Sequence, residues 1–162
     1  MRTRLATNAD AEAMRAIYNV EVAGSTVTFD LVPRTPEQQL AWLADHRGAH
    51  PAIVAVDQGG RVVGFASVSP YRSRPAYSTT VEDSVYVQSD QRGQGVGRLL
   101  LADLVGVTAA HGFHAIMGRI VGDHAASIAL HRGCGFELIG VEREVGRKFG
   151  RWLDVVVMQR LL

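Results

Sequence analysis

The densest chemical signal in the chain is the turn Arg92-Gly93-Gln94-Gly95-Val96-Gly97-Arg98, which follows the strand-like run Val85-Tyr86-Val87 and opens a helix-like run. Glycines at every second position let a backbone approach a ligand with no Cβ in the way. The first amides of the following helix have no partners inside it, and the helix dipole adds positive potential. Such a turn can cradle phosphate oxygens. Two nucleotide fingerprints fit poorly. The dinucleotide turn needs a third glycine where Leu100 stands, and the P-loop needs a Gly-Lys pair that the chain lacks. On these residues alone, a tight helix start with no ligand fits as well.

Acid–base candidates flank the turn. Alternation over residues 80–87 places Glu82, Ser84 and Tyr86 on one strand face. Glu82 there is either a general base or an ordinary carboxylate paired with an arginine. Ser127 and His131 stand one helical turn apart. A charged imidazole can donate a proton, so His131 is an acid candidate or a plain surface histidine. The six histidines show no HExxH spacing, and Cys134 is the one cysteine. No metal site and no disulfide framework are expected, and Cys134 reads as a small packing residue.

Those residues need elements to hold them. Arg2 to Ala6 reads as a first strand. Thr7 stands three residues before Asp10, ahead of Met14, Ile17 and Tyr18 at helical spacing, which predicts a helix over about 10–22. Residues 23–34 read as loop, with Val27 and Phe29 packing inward. Thr35, Pro36 and Gln38 give the second helix its cap, its first residue and its capping-box partner. Leu40 and Leu43 mark its buried face, and Gly48 its stop. Strands over 52–56 and 61–69 join through Asp57-Gln58-Gly59-Gly60 as a hairpin. A fourth strand covers 80–87. A third helix runs from the glycine turn to about Ala110, and a fifth strand covers 114–120. A fourth helix over 124–132 has Asp123 as its cap. Strands over 136–142 and 154–161, separated by a basic loop, close the chain. The order β-α-α-β-β-β-α-β-α-β-β predicts an α/β (α+β) fold, a mixed sheet with helices on its faces. Its fourth and fifth strands lie parallel across a right-handed crossover.

The 162 residues fit one domain, taken as 1–162, and 47% hydrophobic content supports a packed core. Seventeen Lys and Arg against sixteen Asp and Glu give a net charge of +1, which argues against a dedicated polyanion binder. Arg147, Lys148 and Arg151 interleave with Phe149 and Trp152, a pattern that also occurs in nucleic-acid binders. The balanced charge and the lack of a nucleic-acid motif favour no such partner. No apolar run reaches the ~18 residues of a membrane span. Charged residues interrupt the first twenty positions, and a single cysteine suits a reducing compartment. No membrane association and a cytoplasmic location are expected.

Arg92-x-x-Gly95-x-Gly97 resembles the pyrophosphate-binding signature of the GNAT (Gcn5-related N-acetyltransferase) superfamily. Asp123-His124-Ala125-Ala126-Ser127-Ile128-x-Leu130-His131-x-x-x-Gly135-Phe136 resembles that family's next block, and the element order agrees over nearly the whole chain. Residues 80–87, Leu130-His131 and residues 146–154 are similar to the phosphinothricin and methionine sulfoximine N-acetyltransferases. The resemblance implies that the fourth and fifth strands splay and acetyl-CoA enters the gap. Val85, Tyr86 and Val87 would then hold its acetyl carbonyl and pantetheine, with a backbone N–H near Val85 facing the oxyanion. Arg92, Gly93, Gln94, Gly95, Val96, Gly97 and Arg98 would cradle its pyrophosphate. His124 stands where the family usually has an asparagine on the pantetheine arm.

Under the same resemblance, the acceptor is a small-molecule amine, the α-amine of an amino-acid analogue. It must be neutral to attack, and Glu82 is the base that makes it so. His131 would supply the proton to the departing thiolate, and Ser127, one turn earlier, is another candidate for contacting the sulfur region. Arg74, Pro75 and Ala76 match a substrate-binding stretch. Arg72 and Arg74 offer planar forks to an acidic acceptor, and Glu82, Asp83 and Ser84 line the same region. The 147–152 loop is implied to lie near the active site at a homodimer interface. Two other functions remain open: an acyl-CoA-binding regulatory module without turnover, and acetylation of another amine class such as protein N-termini.

Overall fold

The computed structural model describes residues 1–162. Its strands are β1 (Arg2–Leu5), β2 (Ala52–Val56), β3 (Val62–Pro70), β4 (Thr80–Val87), β5 (Ala115–Val121), β6 (Glu137–Lys148) and β7 (Arg151–Leu161). Its α-helices are α1 (Ala11–Gly24), α2 (Pro36–Asp45), α3 (Val96–Ala110) and α4 (Ala125–Gly133). The strands form one sheet in the order β1-β2-β3-β4-β5-β7-β6. All pairings are antiparallel except β4 with β5, which is parallel, as the crossover through α3 requires. This is the expected mixed α/β sheet.

Alternation along the central strands splits the core into two layers. Val81, Ile116, Ile120 and Met158 pack with Leu100, Leu101 and Leu104 of α3 on one face. Val54 and Phe65 pack with Met14, Tyr18 and Val22 of α1 and Leu43 of α2 on the other. Fully burying one such side chain contributes roughly 1.5–3 kcal/mol.

Local chemistry sets the boundaries. Gln38 N–H donates to Thr35 Oγ1 at 3.2 Å and Thr35 N–H to Gln38 Oε1 at 2.8 Å, so α2 begins with the expected capping box. Its end differs. The helix stops at Asp45, where the His46 ring bonds the Trp42 carbonyl at 2.7 Å and Ser69 Oγ at 2.9 Å. Gly48 lies beyond that stop. The cap of α4 is His124 rather than Asp123, because His124 Nδ1 accepts the Ser127 N–H at 3.3 Å.

The expected basic loop is instead the tip of a long β6–β7 hairpin. Lys148 pairs with Arg151 around Phe149 (φ 51°) and Gly150 (φ 72°). Positive φ at both central residues is the requirement of a type I′ turn, which binary patterning does not reveal around a phenylalanine. A Cβ on Gly146 would lie 2.3 Å from the Phe29 ring, so this glycine lets the loop after α1 lie against β6. Lys148 Nζ donates to Thr28 O at 2.8 Å and fixes the same contact. Phe29 therefore covers the hairpin and stays 42% exposed, while Val27 turns toward the cleft described below. No helix is long and apolar enough to cross a membrane.

Candidate active site

The parallel pairing of β4 with β5 covers only Thr80–Glu82 against Ala115–Met117. Both strands run on for several residues without pairing to each other, so they splay from Asp83 and Gly118 onward. A cleft of about 260 Å³ occupies the splay and reaches from α1 to α4. The backbone edge of β4 that faces this gap has no ladder partner in β5.

The glycine turn forms one end of the cleft. Gly93 (φ +74°) and Gly95 (φ +83°) hold left-handed conformations, and a Cβ on either would meet nothing within 4 Å. They are needed for backbone shape, and the space above them is open. Gly97 has a different reason: a Cβ there would lie 3.3 Å from Leu130, so it lets α3 approach α4. The first intrahelical bond of α3 runs from Leu99 N–H to Gly95 O at 3.0 Å. The amides of Val96, Gly97 and Arg98 precede that bond and are the helix's free donors. Together with the dipole they form an anion cradle that suits a diphosphate.

Of the residues read from the sequence, Asp83, Ser84, Val85, Tyr86, Val87, Arg92, Gly93, Gly95, Val96, Gly97, His124, Ser127 and His131 line this cleft. Gln94 and Arg98 lie outside it. Gln94 Nε2 donates to Asp90 O at 3.1 Å, and Arg98 is the exposed residue in the first turn of α3. The Tyr86 side chain packs edge-on to Tyr18, 5.0 Å between centroids, and burial pushes its phenol up.

Sequence reasoning missed Glu21. This buried carboxylate of α1 lines the cleft, accepts a hydrogen bond from Ser25 Oγ at 2.7 Å and forms an ion pair with Arg92. Arg92 Nε also donates to Val87 O at 3.3 Å. The guanidinium is thus held by two elements, with donors to spare. Glu21 and Arg92 are 71 positions apart, and no local pattern connects them. Arg119, Ile120 and Val121 of β5, also missed, form the opposite wall.

His124 has a defined tautomer. Its Nδ1 accepts from Ser127 N–H, so its proton sits on Nε2. Burial, followed by the nearby Arg92 charge, pushes its pKa down, which favours this neutral form. A neutral Nε2–H is a donor like the side-chain amide of an asparagine.

Glu82 pairs in register with Met117 of β5 and Ser69 of β3, at the last rung before the splay. It lies just outside the cleft lining. It has neither a hydrogen bond nor an ion pair. Arg119, the charge that acts most strongly on its carboxyl, pairs with Glu142 instead. Burial pushes the Glu82 carboxyl above the usual carboxylate range, and the positive charges of Arg119 and Arg72 pull only partly against it. Asp83, one residue on, turns to the other face. Its Oδ2 is 3.0 Å from His131 Nε2. Arg72, Arg74, Pro75 and Ala76 are exposed on the loop before β4, where Arg72 lies over the Tyr71 ring at 4.9 Å and Pro75–Tyr77 forms a short 3-10 turn. No group of three His, Cys, Asp or Glu side chains could hold a metal ion.

A sheet that splays beside a parallel crossover, with an amide cradle at the mouth of the gap and titratable groups at its root, defines an acyl-group transferase built on an acyl-CoA cleft. Residues 3–157 match the acetyltransferase (GNAT) domain family. The chain is 43% identical to an L-methionine sulfoximine/L-methionine sulfone acetyltransferase of Pseudomonas paraeruginosa, over 93% of this chain and 88% of that one. The fold is similar to a phosphinothricin acetyltransferase of Sinorhizobium meliloti in complex with acetyl-CoA, with a TM-score of 0.93, 41% identity, and 99% and 87% of the two chains covered. It is also similar to a ribosomal-protein-alanine N-acetyltransferase from Brucella melitensis, with a TM-score of 0.97, 41% identity, and all of both chains covered. The chain belongs to the GNAT acetyltransferase family.

Proposed function

We propose that this enzyme transfers the acetyl group of acetyl-CoA to the α-amine of a small amino-acid analogue of the phosphinothricin or methionine sulfoximine/sulfone type. The transfer is a direct attack, with Glu82 as general base. The observation that carries the mechanism is the state of Glu82: half-buried, with an unpartnered carboxyl that is shifted upward, and set at the last paired rung of the splay. A carboxylate already committed to an arginine could not accept a proton so readily. Acetyl-CoA supplies the thioester. The amides of Val96, Gly97 and Arg98 with Arg92 bind its diphosphate, His124 Nε2–H donates to the pantetheine arm, and the free β4 edge near Val85 orients the acetyl carbonyl. Glu82 takes the amine proton directly or through a water. An α-amine has a pKa near ~8, so the proton transfer is modestly uphill at most.

The acceptor class rests on the named activities of the similar proteins and on Arg72 and Arg74, whose exposed guanidinium groups fit an acidic acceptor. The test is release of free thiol from acetyl-CoA in the presence of phosphinothricin, methionine sulfoximine, methionine sulfone or an alanine-starting peptide. We expect release with the amino-acid analogues. Release with the peptide at orders-of-magnitude higher kcat/KM would replace this acceptor with a protein N-terminus. Binding of CoA with no release for any amine would replace the enzyme with a binding module.

We read residues 1–162 as one acetyltransferase domain that works as a cytoplasmic homodimer. Leu138, Ile139, Val141, Val145, Phe149 and Trp152 of the β6–β7 hairpin are each more than half exposed, an apolar surface on the sheet edge that a second copy would cover. A monomer mass by light scattering at micromolar concentration would remove the dimer.

A further inference from the structure

Asp83 and His131 form a buried pair at the root of the splay, with side chains 1% and 5% exposed. The β4–β5 ladder ends at Glu82 and Met117, so Asp83 and Gly118 are the first residues past it. The imidazole lies directly on Gly118, where a Cβ would come within 2.8 Å of His131 Cδ2 and 3.3 Å of Asp83 Oδ1. Both ring nitrogens face acceptors. Nε2 faces Asp83 Oδ2 at 3.0 Å, and Nδ1 faces the Ser127 carbonyl at 2.8 Å. A backbone carbonyl only accepts, so Nδ1 carries a proton, and a carboxylate opposite Nε2 calls for a second. Ser127 Oγ lies 3.5 Å from the same Nδ1, and both Ser127 and His131 line the cleft.

We propose that Asp83 is a positioning residue that keeps His131 doubly protonated, so that the Nδ1 proton stands ready for the thiolate through the Ser127 hydroxyl. This rests on the acetyltransferase reading above. When the thiol departs, the C–S bond breaks and its electron pair goes to sulfur. The thiolate takes the Ser127 Oγ proton, and Ser127 Oγ takes the Nδ1 proton. His131 ends neutral, with Nε2–H still donated to Asp83. Solvent returns the Nδ1 proton before the next turnover.

The surroundings leave Asp83 as the controlling charge. Burial alone would push the His131 imidazole down, but the Asp83 hydrogen bond and charge, with the Ser127 carbonyl, outweigh it and hold it above its ordinary value. From β5 the ring meets Gly118, and from the residue before β6 it meets the Phe136 ring at 5.0 Å. Glu82 points to the opposite face. The Arg160 guanidinium donates to the Cys134 carbonyl, and the charges of Arg98 and Arg160 act on the Cys134 thiol, in the next turn. Asp83 Oδ1 is buried with no donor, so nothing else in the protein neutralises this carboxylate.

The first test uses the unmodified protein. In ¹⁵N-histidine NMR, with the His131 signals assigned by their loss in His131→Gln, both ring nitrogens should carry protons at about pH 7.5. A ring with a single N–H at that pH overturns the proposal, whatever the enzyme's activity. The second test is Asp83→Asn. Its kcat should fall roughly a hundredfold at about pH 8, with KM for acetyl-CoA within about twofold of wild type. The alkaline fall of the kcat profile should move to lower pH, since only the Ser127 carbonyl then opposes burial of the imidazole. An unmoved profile overturns the proposal. Absence of turnover in the wild type would sink the acetyltransferase reading, while the NMR result would still decide the state of His131.

Discussion

Glu82 and Asp83 are the same kind of group, one residue apart on one strand, and the protein treats them in opposite ways. Strand alternation sends Glu82 to the α1–α2 face, where it has no partner and burial lifts its carboxyl. It sends Asp83 to the α3–α4 face, where an imidazole meets it. An unpartnered carboxylate is poised to take a proton, and a partnered one is poised to hold a proton on its neighbour. The sheet needs no loop to give the two carboxyls opposite surroundings. It needs only an odd and an even position at the point where two parallel strands stop pairing.

The largest effect that tests this contrast is Glu82→Gln. Its kcat should fall about a hundredfold or more at neutral pH. Activity should recover in part as the pH rises past about 8, where the acceptor amine sheds its own proton. The wild-type profile should show an acid limb above the ordinary carboxylate range, and the variant should lack it. Stability gives an independent check. A native carboxyl lifted above its unfolded value binds more protons folded than unfolded, so stability falls as pH rises through that window. Glu82→Gln should therefore raise Tm at about pH 7.5 and change it little near pH 4. A Tm loss at neutral pH would mean that Glu82 has a stabilising partner, and the contrast with Asp83 would disappear.

A smaller effect separates two glycines of the turn. Gly95 holds φ +83° with open space beside it, whereas Gly97 is helical and faces Leu130 at 3.3 Å. Gly95→Ala should lose about 1 kcal/mol of stability from left-handed strain and raise KM for acetyl-CoA about tenfold as the cradle shifts. Gly97→Ala moves α4 by a few tenths of an ångström and should raise that KM much less. Equal effects on KM would mean that the turn serves packing throughout.

What could be read from the sequence follows from how local each feature is. The capping box at Thr35 and Gln38, the hairpin at Asp57–Gly60 and the strand–turn–helix around Gly95 lie within a few residues, and their types dictate their conformations. The face shared by Glu82, Ser84 and Tyr86 follows from alternation. That same rule already sets Asp83 apart from Glu82, so its grouping with the acceptor residues overlooked a signal that was present. Its partner was not readable, because His131 lies 48 positions away and meets Asp83 only through the crossover. The Glu21–Arg92 pair is hidden for the same reason. The Phe149-Gly150 turn was missed because phenylalanine rarely takes positive φ.

The smallest effects concern the two loop arginines. Both are exposed, so water and salt screen their pull on an acidic acceptor, and each removal should raise the acceptor KM only roughly fivefold. The difference between them lies in the pH profile. The Arg72 charge is among those that pull the Glu82 carboxyl down against burial, and Arg74 is not among the leading ones. Arg72→Ala should therefore shift the acid limb to higher pH and raise the acceptor KM, while Arg74→Ala should raise KM and leave the limb in place. Added salt should shrink the first shift, because exposed charges at this range are screened within about 8–10 Å. If Arg74→Ala moves the limb as well, Glu82 feels the whole loop rather than one residue of it, and its isolation on the α1–α2 face is less complete than its lack of partners indicates.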